Sequence, residues 1–581
     1  MEHGVRTTWG ATLFGNVERR FLPAPEHLPL LTFGAAHLHK VWSGEPMNAC
    51  HELLDATVTE HGLDRTAIVT ITRDGGARWT YGELLSQVSR LAAGLQRAGV
   101  APGDRVLVRM PDVPQAAIAQ LAVWRLGGVV VPSSVLETAR ELEFMLGDVE
   151  ATTVICASDH AAELEKALPA SPIVKRVVGW PDAVAGGPTL DGLIADSPTG
   201  IACHPSAPFD ASGIYYTGGT TGLPKGCLHT HAAEVATADL NAWARGATCD
   251  SVFLTHAPIG HAFGNGEKIN FPLRLGATVV YANRPTPAEM WQTIAEHRVT
   301  TLAAAATMYR MMLANASPED LAGAASLVSA VSSGEVLDET TFDRWNNSVA
   351  CPVRNTVGMT PMRHLFLDSN LAGVKTAPGL SVGAPLPAYE ARLVDADGTS
   401  VPPGEPGRLA IRGPSGITYW INRHPGVAAR AAQDVRDGWS LLDDAYVRDA
   451  DGWLWFHGRL DDMIVTGGRQ VAPIEVESVL CAHPDVAEAC VVAAPDAMRG
   501  QSVCAFVRVR DGVTTDAALA EALQTFTKAE MAAYKYPRRI EFVAELPKDS
   551  VGKIQRRRLR EQLVEAELRS DAITSDAAPV T

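Results

Sequence analysis

The chain has 581 residues, of which 46% are hydrophobic and 20% charged, and its 66 acidic side chains outnumber its 50 basic ones. This length exceeds what a single hydrophobic core organises, so we expect two or more domains. The formal charge of -16 argues against a nucleic-acid partner, and no apolar run approaches the roughly 20 residues of a membrane span.

Residues 1–45 carry scattered prolines without a clear hydrophobic period, which predicts an N-terminal extension lying on the body of the protein. The first residues lack a basic segment followed by an apolar one, so we expect no signal peptide and a cytoplasmic protein. The nine cysteines are dispersed between Cys50 and Cys504 without a C-x-x-C pair, which is typical of reduced thiols in that compartment.

Apolar runs and amphipathic stretches alternate from about residue 46 to about residue 330. Tyr81 opens a helical pattern with apolar side chains at three- and four-residue spacing, and strand-like runs follow at 104–108 and 128–131, with a helix predicted over 117–126 between them. This alternation predicts an α/β fold with largely parallel, buried strands.

The pattern predicts a large N-terminal domain over residues 46–460, built from two α/β sheets with helices and a small β-rich subdomain at about 383–458. A compact α+β domain follows over 461–569, with helices near 473–480 and 517–526 and strands at 486–492 and 503–509. The small, polar residues 570–581 predict a disordered tail.

The segment from Tyr216 to Gly226 combines four glycines with three threonines and a lysine, directly after an apolar run. Glycines let backbone N–H groups turn toward an anion, while threonine hydroxyls and Lys225 add donors and positive charge. The segment therefore predicts a loop that holds a polyphosphate. It differs from the common NTPase loop, because Pro224 precedes the lysine and a glycine follows it.

Further motifs follow in a fixed order: a Gly/Thr turn at 357–360, Asp444 ahead of an Asp-Gly turn, 458–462 (Gly-Arg-Leu-Asp-Asp), and 547–554 (Pro-Lys-Asp-Ser-Val-Gly-Lys-Ile). In this order and spacing, the chain from about residue 48 to 565 resembles the adenylate-forming superfamily of acyl- and aryl-CoA synthetases, peptide-synthetase adenylation domains and luciferases. The resemblance implies that a carboxylate attacks the α-phosphate of ATP and that a thiol, usually that of CoA, then displaces AMP.

The resemblance assigns roles to individual residues. Lys225 and the threonines of the loop hold the β- and γ-phosphates, Thr360 contacts the α-phosphate, and 334–336 (Gly-Glu-Val) line the adenine. Asp444 accepts the ribose hydroxyls with help from Arg459, and the catalytic Lys553 bridges carboxylate and phosphate. The positions implied for the nucleotide are Thr217, Gly218, Gly219, Thr220, Thr221, Gly222, Lys225, Gly334, Glu335, Val336, Val357, Gly358, Met359, Thr360, Asp444, Arg459 and Lys553.

The small C-terminal domain is expected to be mobile. Asp461 matches the family's hinge, and rotation about it replaces Lys553 with the thiol-transfer loop at Thr466, Gly467 and Gly468. The chain departs from the family at Pro361, where a glutamate usually helps to bind Mg²⁺. Proline offers no side-chain oxygen ligand, so the metal would depend on phosphates, waters or another carboxylate, and its protein ligands are unknown. The change does not abolish the scheme and is compatible with slow or unusual adenylation.

Residues 258–261 (Pro-Ile-Gly-His) correspond to the family segment that walls the acyl pocket. The stretches from Met362 to Pro385 and from Asp444 to Gly452 are most similar to benzoate- and aminobenzoate-CoA ligases, which implies a planar aryl acid with hydroxyl or amino substituents. His261 is expected to wall the pocket, and Arg363 or His364 is a candidate for reading an ortho substituent. The residues implied for this pocket are Ala257, Gly260, His261, Phe263, Gly358, Arg363 and His364.

Three functions follow from these motifs: an aryl-CoA ligase using ATP, Mg²⁺ and CoA, a stand-alone aryl adenylating enzyme serving a carrier-protein thiol or another nucleophile, and a nucleotide-binding protein with little turnover. The ring substituents, the acceptor and the oligomeric state stay open, with a homodimer as one option. Cys227, His229 and His231 alternate as on one face of a strand, but without a fourth ligand we expect no metal there.

Overall fold

The computed structural model describes residues 13–33, 46–71, 76–197, 201–217, 224–371, 375–424, 426–466, 469–496, 500–532, 534–548 and 554–563. Its strands are β1 (Thr66–Thr70), β2 (Arg78–Thr80), β3 (Arg105–Arg109), β4 (Val129–Ser133), β5 (Thr153–Ala157), β6 (Arg176–Trp180), β7 (Ala211–Thr217), β8 (Lys225–Thr230), β9 (Val252–Thr255), β10 (Thr278–Tyr281), β11 (Thr301–Ala304), β12 (Ser329–Ser332), β13 (Val353–Gly358), β14 (Leu365–Asp368), β15 (Asn370–Leu371), β16 (Lys375–Thr376), β17 (Ala384–Pro385), β18 (Glu390–Val394), β19 (Pro406–Arg412), β20 (Val435–Arg436), β21 (Trp439–Arg448), β22 (Leu454–Arg459), β23 (Ile464–Thr466), β24 (Arg469–Val471), β25 (Val486–Asp496), β26 (Gly500–Val509) and β27 (Arg539–Phe542).

The helices are α1 (Ala56–His61), α2 (Tyr81–Arg97), α3 (Pro114–Arg125), α4 (Ala139–Asp148), α5 (Ala161–Ala167), α6 (Leu190–Ala195), α7 (His231–Arg245), α8 (Ala262–Asn265), α9 (Phe271–Leu275), α10 (Pro287–His297), α11 (Ala306–Ala314), α12 (Pro318–Gly323), α13 (Glu339–Ser348), α14 (Val427–Asp434), α15 (Pro473–Ala482) and α16 (Ala517–Glu530). Capping boxes begin α2, α4, α10 and α12, so local sequence fixes where these helices start. None of the helices in the described ranges combines the length and apolar character that a membrane span requires.

Two large sheets are built mainly from parallel strands, as the alternating pattern predicts. The first has nine strands in the order β17-β14-β13-β12-β11-β9-β10-β1-β2, and the second has six in the order β6-β5-β3-β4-β7-β8. Their central strands are parallel. The edge strands β2, β17 and β8 are antiparallel to their neighbours, whereas the edge strand β6 is parallel to β5. A buried apolar cluster that includes α2, α3 and strands of both sheets fills the space between them.

The β-rich region contains a five-stranded sheet of β18, β19, β21, β20 and β22. The chain divides into two compact units: the first holds residues 1–337, 341–392 and 410–441, and the second holds 338–340, 393–409 and 442–581. The predicted α/β class, with a large and a smaller domain, is confirmed. The predicted domain boundary at Asp461 stays a prediction.

The second unit contains the sheet β24-β23-β26-β25, with β27 added beside β26. Apolar side chains of α15 and α16 pack on one face of this sheet, and Leu559 and Leu563 pack on the other face beside Phe506. The elements predicted after residue 470 are therefore present, and the sheet is covered on both faces. The predicted tail at 570–581 lies outside the described residues.

Part of the N-terminal segment is described and lies on the first unit. Phe21 is buried and stacks on Trp420, with ring centroids 4.3 Å apart. The backbone N–H of Leu30 donates to the carbonyl oxygen of Gly438 at 2.9 Å, and that of Thr32 donates to Gly413 at 2.9 Å. Aromatic stacking and backbone hydrogen bonds therefore anchor residues 13–33.

The half-buried carboxyl group of Glu137 lies just after the end of β4. The hydroxyl of Ser133 donates to the Glu137 carboxylate, and Arg109 donates to the backbone carbonyl of Glu137 at 3.1 Å. Burial nevertheless raises the pKa of Glu137 from its ordinary 4.5 to about 7, since the charged form loses its hydration. The folded protein therefore binds this proton more tightly than the unfolded chain does.

We predict that this difference destabilises the wild-type protein as pH rises. A raised carboxyl pKa gives stability that is fully present below pH 4.5 and is lost by pH 7, at most about 3 kcal/mol. In Glu137→Gln, which keeps an acceptor for Ser133 but cannot titrate, that loss should vanish. Urea unfolding of both proteins between pH 4.5 and 7.5 measures it, and parallel stability curves would contradict the pKa shift.

Candidate active site

The predicted phosphate loop lies between two paired strands of the six-stranded sheet. β7 and β8 are antiparallel, and their register sets Thr217 opposite Lys225. Gly218, Gly219, Thr220, Thr221 and Gly222 lie outside the described residues. The two ends of the loop are therefore held one strand spacing apart, and this pairing fixes the backbone position of Lys225.

Lys225 lies on a strand whose other edge is also occupied. The backbone N–H of Leu228 donates to Thr418 at 2.8 Å, and that of Trp420 donates to Gly226 at 2.9 Å. The Lys225 ammonium lies 5.8 Å from the ring centroid of Tyr419, at a favourable cation–π distance. The backbone of the lysine is thus held from both sides.

The Thr360 turn follows β13 and forms a short 3-10 helix over Thr360–Met362, with Pro361 in its middle. The Nε2 atom of His229 lies 2.8 Å from the carbonyl oxygen of Thr360. Burial lowers the pKa of His229 to about 3, so the ring is neutral at pH 7 and Nε2–H donates to that oxygen. A neutral histidine from β8 therefore fixes the turn that carries Thr360.

The predicted alternation of Cys227, His229 and His231 on one strand face is wrong at its last member. β8 ends at Thr230, whose side chain caps α7, so His231 is the first helical residue. The Nδ1 atom of His231 accepts a hydrogen bond from the backbone N–H of Ala49 at 3.1 Å. A threonine N-cap ends the strand where alternation alone would have continued it.

The predicted acid-binding wall, residues 257–263, follows β9 and packs closely on the six-stranded sheet. A Cβ atom on Gly260 would lie 2.7 Å from the carbonyl oxygen of Ser133. The backbone N–H of Ile259 donates to Asp112 at 2.8 Å, and Lys268 donates to the carbonyl of Ala257 at 2.6 Å. The backbone of this wall is therefore held by charged side chains.

Those two charges form an ion pair in the interior. The Lys268 ammonium lies 2.7 Å from the Asp112 carboxylate, and their side chains are at most 3% exposed. Because each also bonds to the wall backbone, removing either one would leave a buried charge and free an end of the segment.

Phe263 extends the wall with an apolar surface. Its half-buried side chain packs against Ala303, Val331 and Leu365, at the ends of strands of the nine-stranded sheet. The buried His364 ring lies 5.4 Å from the Phe263 ring, and its Nε2 atom lies 3.1 Å from the Phe263 carbonyl oxygen. Burial lowers the pKa of His364 well below its usual value, so this ring is neutral.

The segment implied for adenine lies after β12. Gly334 has a φ of +84°, a left-handed conformation that glycine tolerates. The Glu335 carboxylate accepts a hydrogen bond from the backbone N–H of Thr307 at 2.9 Å, and Val336 is 42% exposed. This turn therefore leaves an apolar side chain and backbone groups facing outward.

The implied ribose-binding residues lie in the second unit and pair across two strands. Asp444 of β21 is directly opposite Arg459 of β22, and their closest charged atoms are 3.8 Å apart. Arg459 also lies 3.8 Å from the carboxylate of Asp443. The strand register thus places a guanidinium beside two carboxylates.

Several predicted residues fall outside the described part of the second unit. The backbone of Asp461 lies in a 3-10 turn over Leu460–Asp462, but its side chain is not among those described. Thr466 ends β23 opposite Arg469, while Gly467 and Gly468 are not described. Lys553 is likewise outside the described residues, so the roles of all these residues stay predictions.

Sequence reasoning missed the buried polar side chains that support the site. Four of these side chains are buried: Asp112, Lys268, Glu234 and Asn265. The first two bond to the backbone of the acid-binding wall, and the last two accept hydrogen bonds from Arg363. The adjacent charges at 267–268, within an otherwise uncharged stretch from 257 to 273, were an available signal. Their partners lie far away in sequence and could not be read from it.

Two family models match the chain. The one described as "AMP-binding enzyme" covers residues 54–419, and the one described as "AMP-binding enzyme C-terminal domain" covers residues 475–553. The benzoate–CoA ligase of Thauera aromatica is 36% identical over 502 residues, 84% of this chain and 92% of that protein. The 3-hydroxybenzoate–CoA ligase of Aromatoleum sp. is 34% identical over 535 residues, 89% of this chain and 97% of that protein.

Solved structures of similar proteins point to the same family as these sequence matches. An anthranilate CoA ligase in complex with anthranoyl-AMP superposes with a TM-score of 0.81 at 29% identity, over 89% of this chain and 97% of that one. A benzoate CoA ligase from Burkholderia xenovorans gives 0.77 at 30% identity, over 88% and 99% of the two chains. The predicted resemblance is confirmed, and the chain belongs to the AMP-binding enzyme family of adenylate-forming enzymes.

Proposed function

We propose that the protein is an AMP-forming aryl-CoA ligase that activates a benzoate-type acid. Three features found together carry the proposal. They are the β7–β8 hairpin with Lys225 at the start of its second strand, the Thr360 turn bonded to His229, and the predicted acid-binding wall, which ends in the apolar side chain of Phe263. A planar aryl ring suits such a wall, because ligand pockets combine apolar surfaces with few polar groups. Relatives named for benzoate and 3-hydroxybenzoate support the same acid class.

The first step brings two anions together, so positioning and positive potential dominate its barrier. A carboxylate oxygen of the acid attacks the α-phosphorus of ATP, the bond to the bridging oxygen breaks, and pyrophosphate leaves. Lys225 holds the β- and γ-phosphates during this step, and Thr360 contacts the α-phosphate. Lys553 bridges the carboxylate and the phosphate, and Asp444 with Arg459 holds the ribose.

In the second step the sulfur of CoA attacks the acyl carbon, the carbon–oxygen bond to AMP breaks, and the thiol proton leaves to solvent. Rotation about Asp461 exchanges Lys553 for the loop at Thr466, Gly467 and Gly468 between these steps. A carrier-protein thiol or another nucleophile is the alternative acceptor, since the same acyl-adenylate serves either.

The residues around Thr360 do not fit a Mg²⁺ ion held by the protein at the usual place. Pro361 has no side-chain oxygen, and the Glu234 carboxylate nearby in the fold is bonded to Arg363 and Asn270. We therefore assign Mg²⁺ to the ATP that enters the site, with phosphate oxygens and waters as its ligands.

In the presence of Mg²⁺, we expect a benzoate to cause release of pyrophosphate from ATP. When CoA is added, we expect an aryl-CoA thioester and AMP to form. A panel of unsubstituted, hydroxy- and amino-benzoates, assayed with and without CoA, measures both products. Pyrophosphate release without a thioester would indicate another acceptor. ATP binding without pyrophosphate release for any acid would indicate a nucleotide-binding protein with little turnover.

Lys553→Ala should slow adenylate formation by about 100-fold or more, because it removes the cation that bridges two reacting anions. Thioester formation from supplied benzoyl-adenylate and CoA should stay near the wild-type rate. Lys548→Ala is the matched control, since Lys548 belongs to the same motif but pairs with Glu488 at 2.9 Å. Equal loss of both half-reactions in Lys553→Ala would contradict the role.

Pro361→Glu restores the carboxylate found at this position in the family. It should lower the Mg²⁺ concentration that gives half-maximal pyrophosphate release, or raise the adenylation rate, because a fixed anion adds a ligand for the metal. Pro361→Gln controls for the loss of proline without adding charge. An unchanged Mg²⁺ dependence in Pro361→Glu would mean that another ligand already serves the ion.

A further inference from the structure

The Arg363 side chain is fully buried, which is uncommon for arginine. Its Nε atom donates to the Glu234 carboxylate at 2.6 Å, and its Nη2 atom donates to Asn265 at 2.8 Å. Nη1 donates to the carbonyl oxygen of Ala262 at 3.2 Å, and the guanidinium lies 4.3 Å from the ring centroid of Tyr215. One guanidinium therefore contacts α7, α8 and β7 at once.

Two of the contacted elements, α8 and β7, border segments of the proposed adenylation site. Tyr215 is two residues before Thr217, where the phosphate loop begins, and Ala262 lies between two residues of the acid-binding wall. The backbone of Arg363 itself continues from the turn at Thr360–Met362. The strand that enters the phosphate loop, the acid-binding wall and the Thr360 turn thus meet at a single cation.

The anion of this pair is also fully enclosed. Glu234 has no exposed surface, and the same carboxylate oxygen that pairs with Arg363 accepts a hydrogen bond from Asn270 at 2.6 Å. Its other oxygen lies 3.3 Å from the hydroxyl of Ser212. Removing only one member would leave a buried charge without compensation, so the two residues act as a unit.

The backbone at Arg363 adopts a conformation that needs support. Its φ of 68° and ψ of -50° form a γ-turn, closed by a 2.9 Å hydrogen bond from the N–H of His364 to the carbonyl of Met362. This turn is rare and strained for a residue with a side chain, and it persists where the surroundings over-determine it. The contacts of the Arg363 guanidinium provide that restraint, three residues after Thr360.

The geometry points to Glu234 and Arg363 as positioning residues for adenylation. Their buried ion pair fixes the Thr360 turn and the acid-binding wall relative to the strand that enters the phosphate loop, so that carboxylate and α-phosphate meet in register. This inference rests on the proposed function. It also gives Arg363 a role beneath the acid pocket, in place of contact with a ring substituent.

The test compares variants of the pair in the full-length protein. Glu234→Gln with Arg363→Met removes both charges while keeping an acceptor for Asn270 and a long apolar side chain. Arg363→Lys keeps the charge but loses the planar fork that reaches Ala262 and Asn265 together. Asp55→Asn with Arg125→Met is the control, because it removes a different arginine–carboxylate pair of the first unit, whose two hydrogen bonds measure 2.8 and 2.9 Å.

Three quantities are measured for each protein: thermal unfolding, pyrophosphate release with ATP and a benzoate that the wild type converts, and thioester formation from supplied benzoyl-adenylate and CoA. In the double variant we expect the kcat of adenylation to fall about 30- to 100-fold, because the reacting groups would no longer be held in the right positions. The rate of thioester formation should change by less than about threefold. Arg363→Lys should lie between this variant and the wild type, and the control pair should keep the wild-type kcat.

Two results would overturn the inference. One is a folded double variant with the adenylation kcat of the wild type. The other is an equal loss of both half-reactions, matched by the control pair, since that indicates a general loss of structure. Absence of pyrophosphate release in the wild type with every acid would instead refute the proposed function itself.

Discussion

A buried charge must have a partner, and two buried ion pairs that satisfy this constraint support the segments of the candidate site. Lys268 with Asp112 and Arg363 with Glu234 are ion pairs with almost no exposed surface. Each pair also bonds to backbone groups or amides between Ala257 and Asn265, so the charges position this stretch of loop and short helix. The net stabilisation from such pairs is small, but breaking one is costly. They give the site a defined shape.

Much of the fold could be predicted from the sequence because its signals are local. Capping residues, apolar periodicity and turn glycines lie within a few positions of the elements they define, as in α2 and the strands of the two large sheets. The resemblance to adenylate-forming enzymes depended on sequence motifs, from the phosphate loop to 547–554, in their order and spacing.

The support of the site could not be predicted in the same way. Glu234 and Arg363 are 129 residues apart, and Asp112 and Lys268 are 156 apart. Sequence alone treats an arginine beside the Thr360 turn as a candidate substrate contact, since exposed arginine is the ordinary case. Only the packing of α7, α8 and β7 around it reveals an internal partner. Likewise, His231 changes from strand to helix because of the cap at Thr230.

The close approach of Gly260 to Ser133 limits which residues the predicted acid-binding wall can accept during evolution. A side chain at Gly260 would collide with backbone, and one at Gly264 would lie 2.2 Å from the carbonyl oxygen of Pro258. Neither glycine can therefore accept mutations that reshape the wall. Phe263 has more freedom to change, because its neighbours are apolar side chains that can repack.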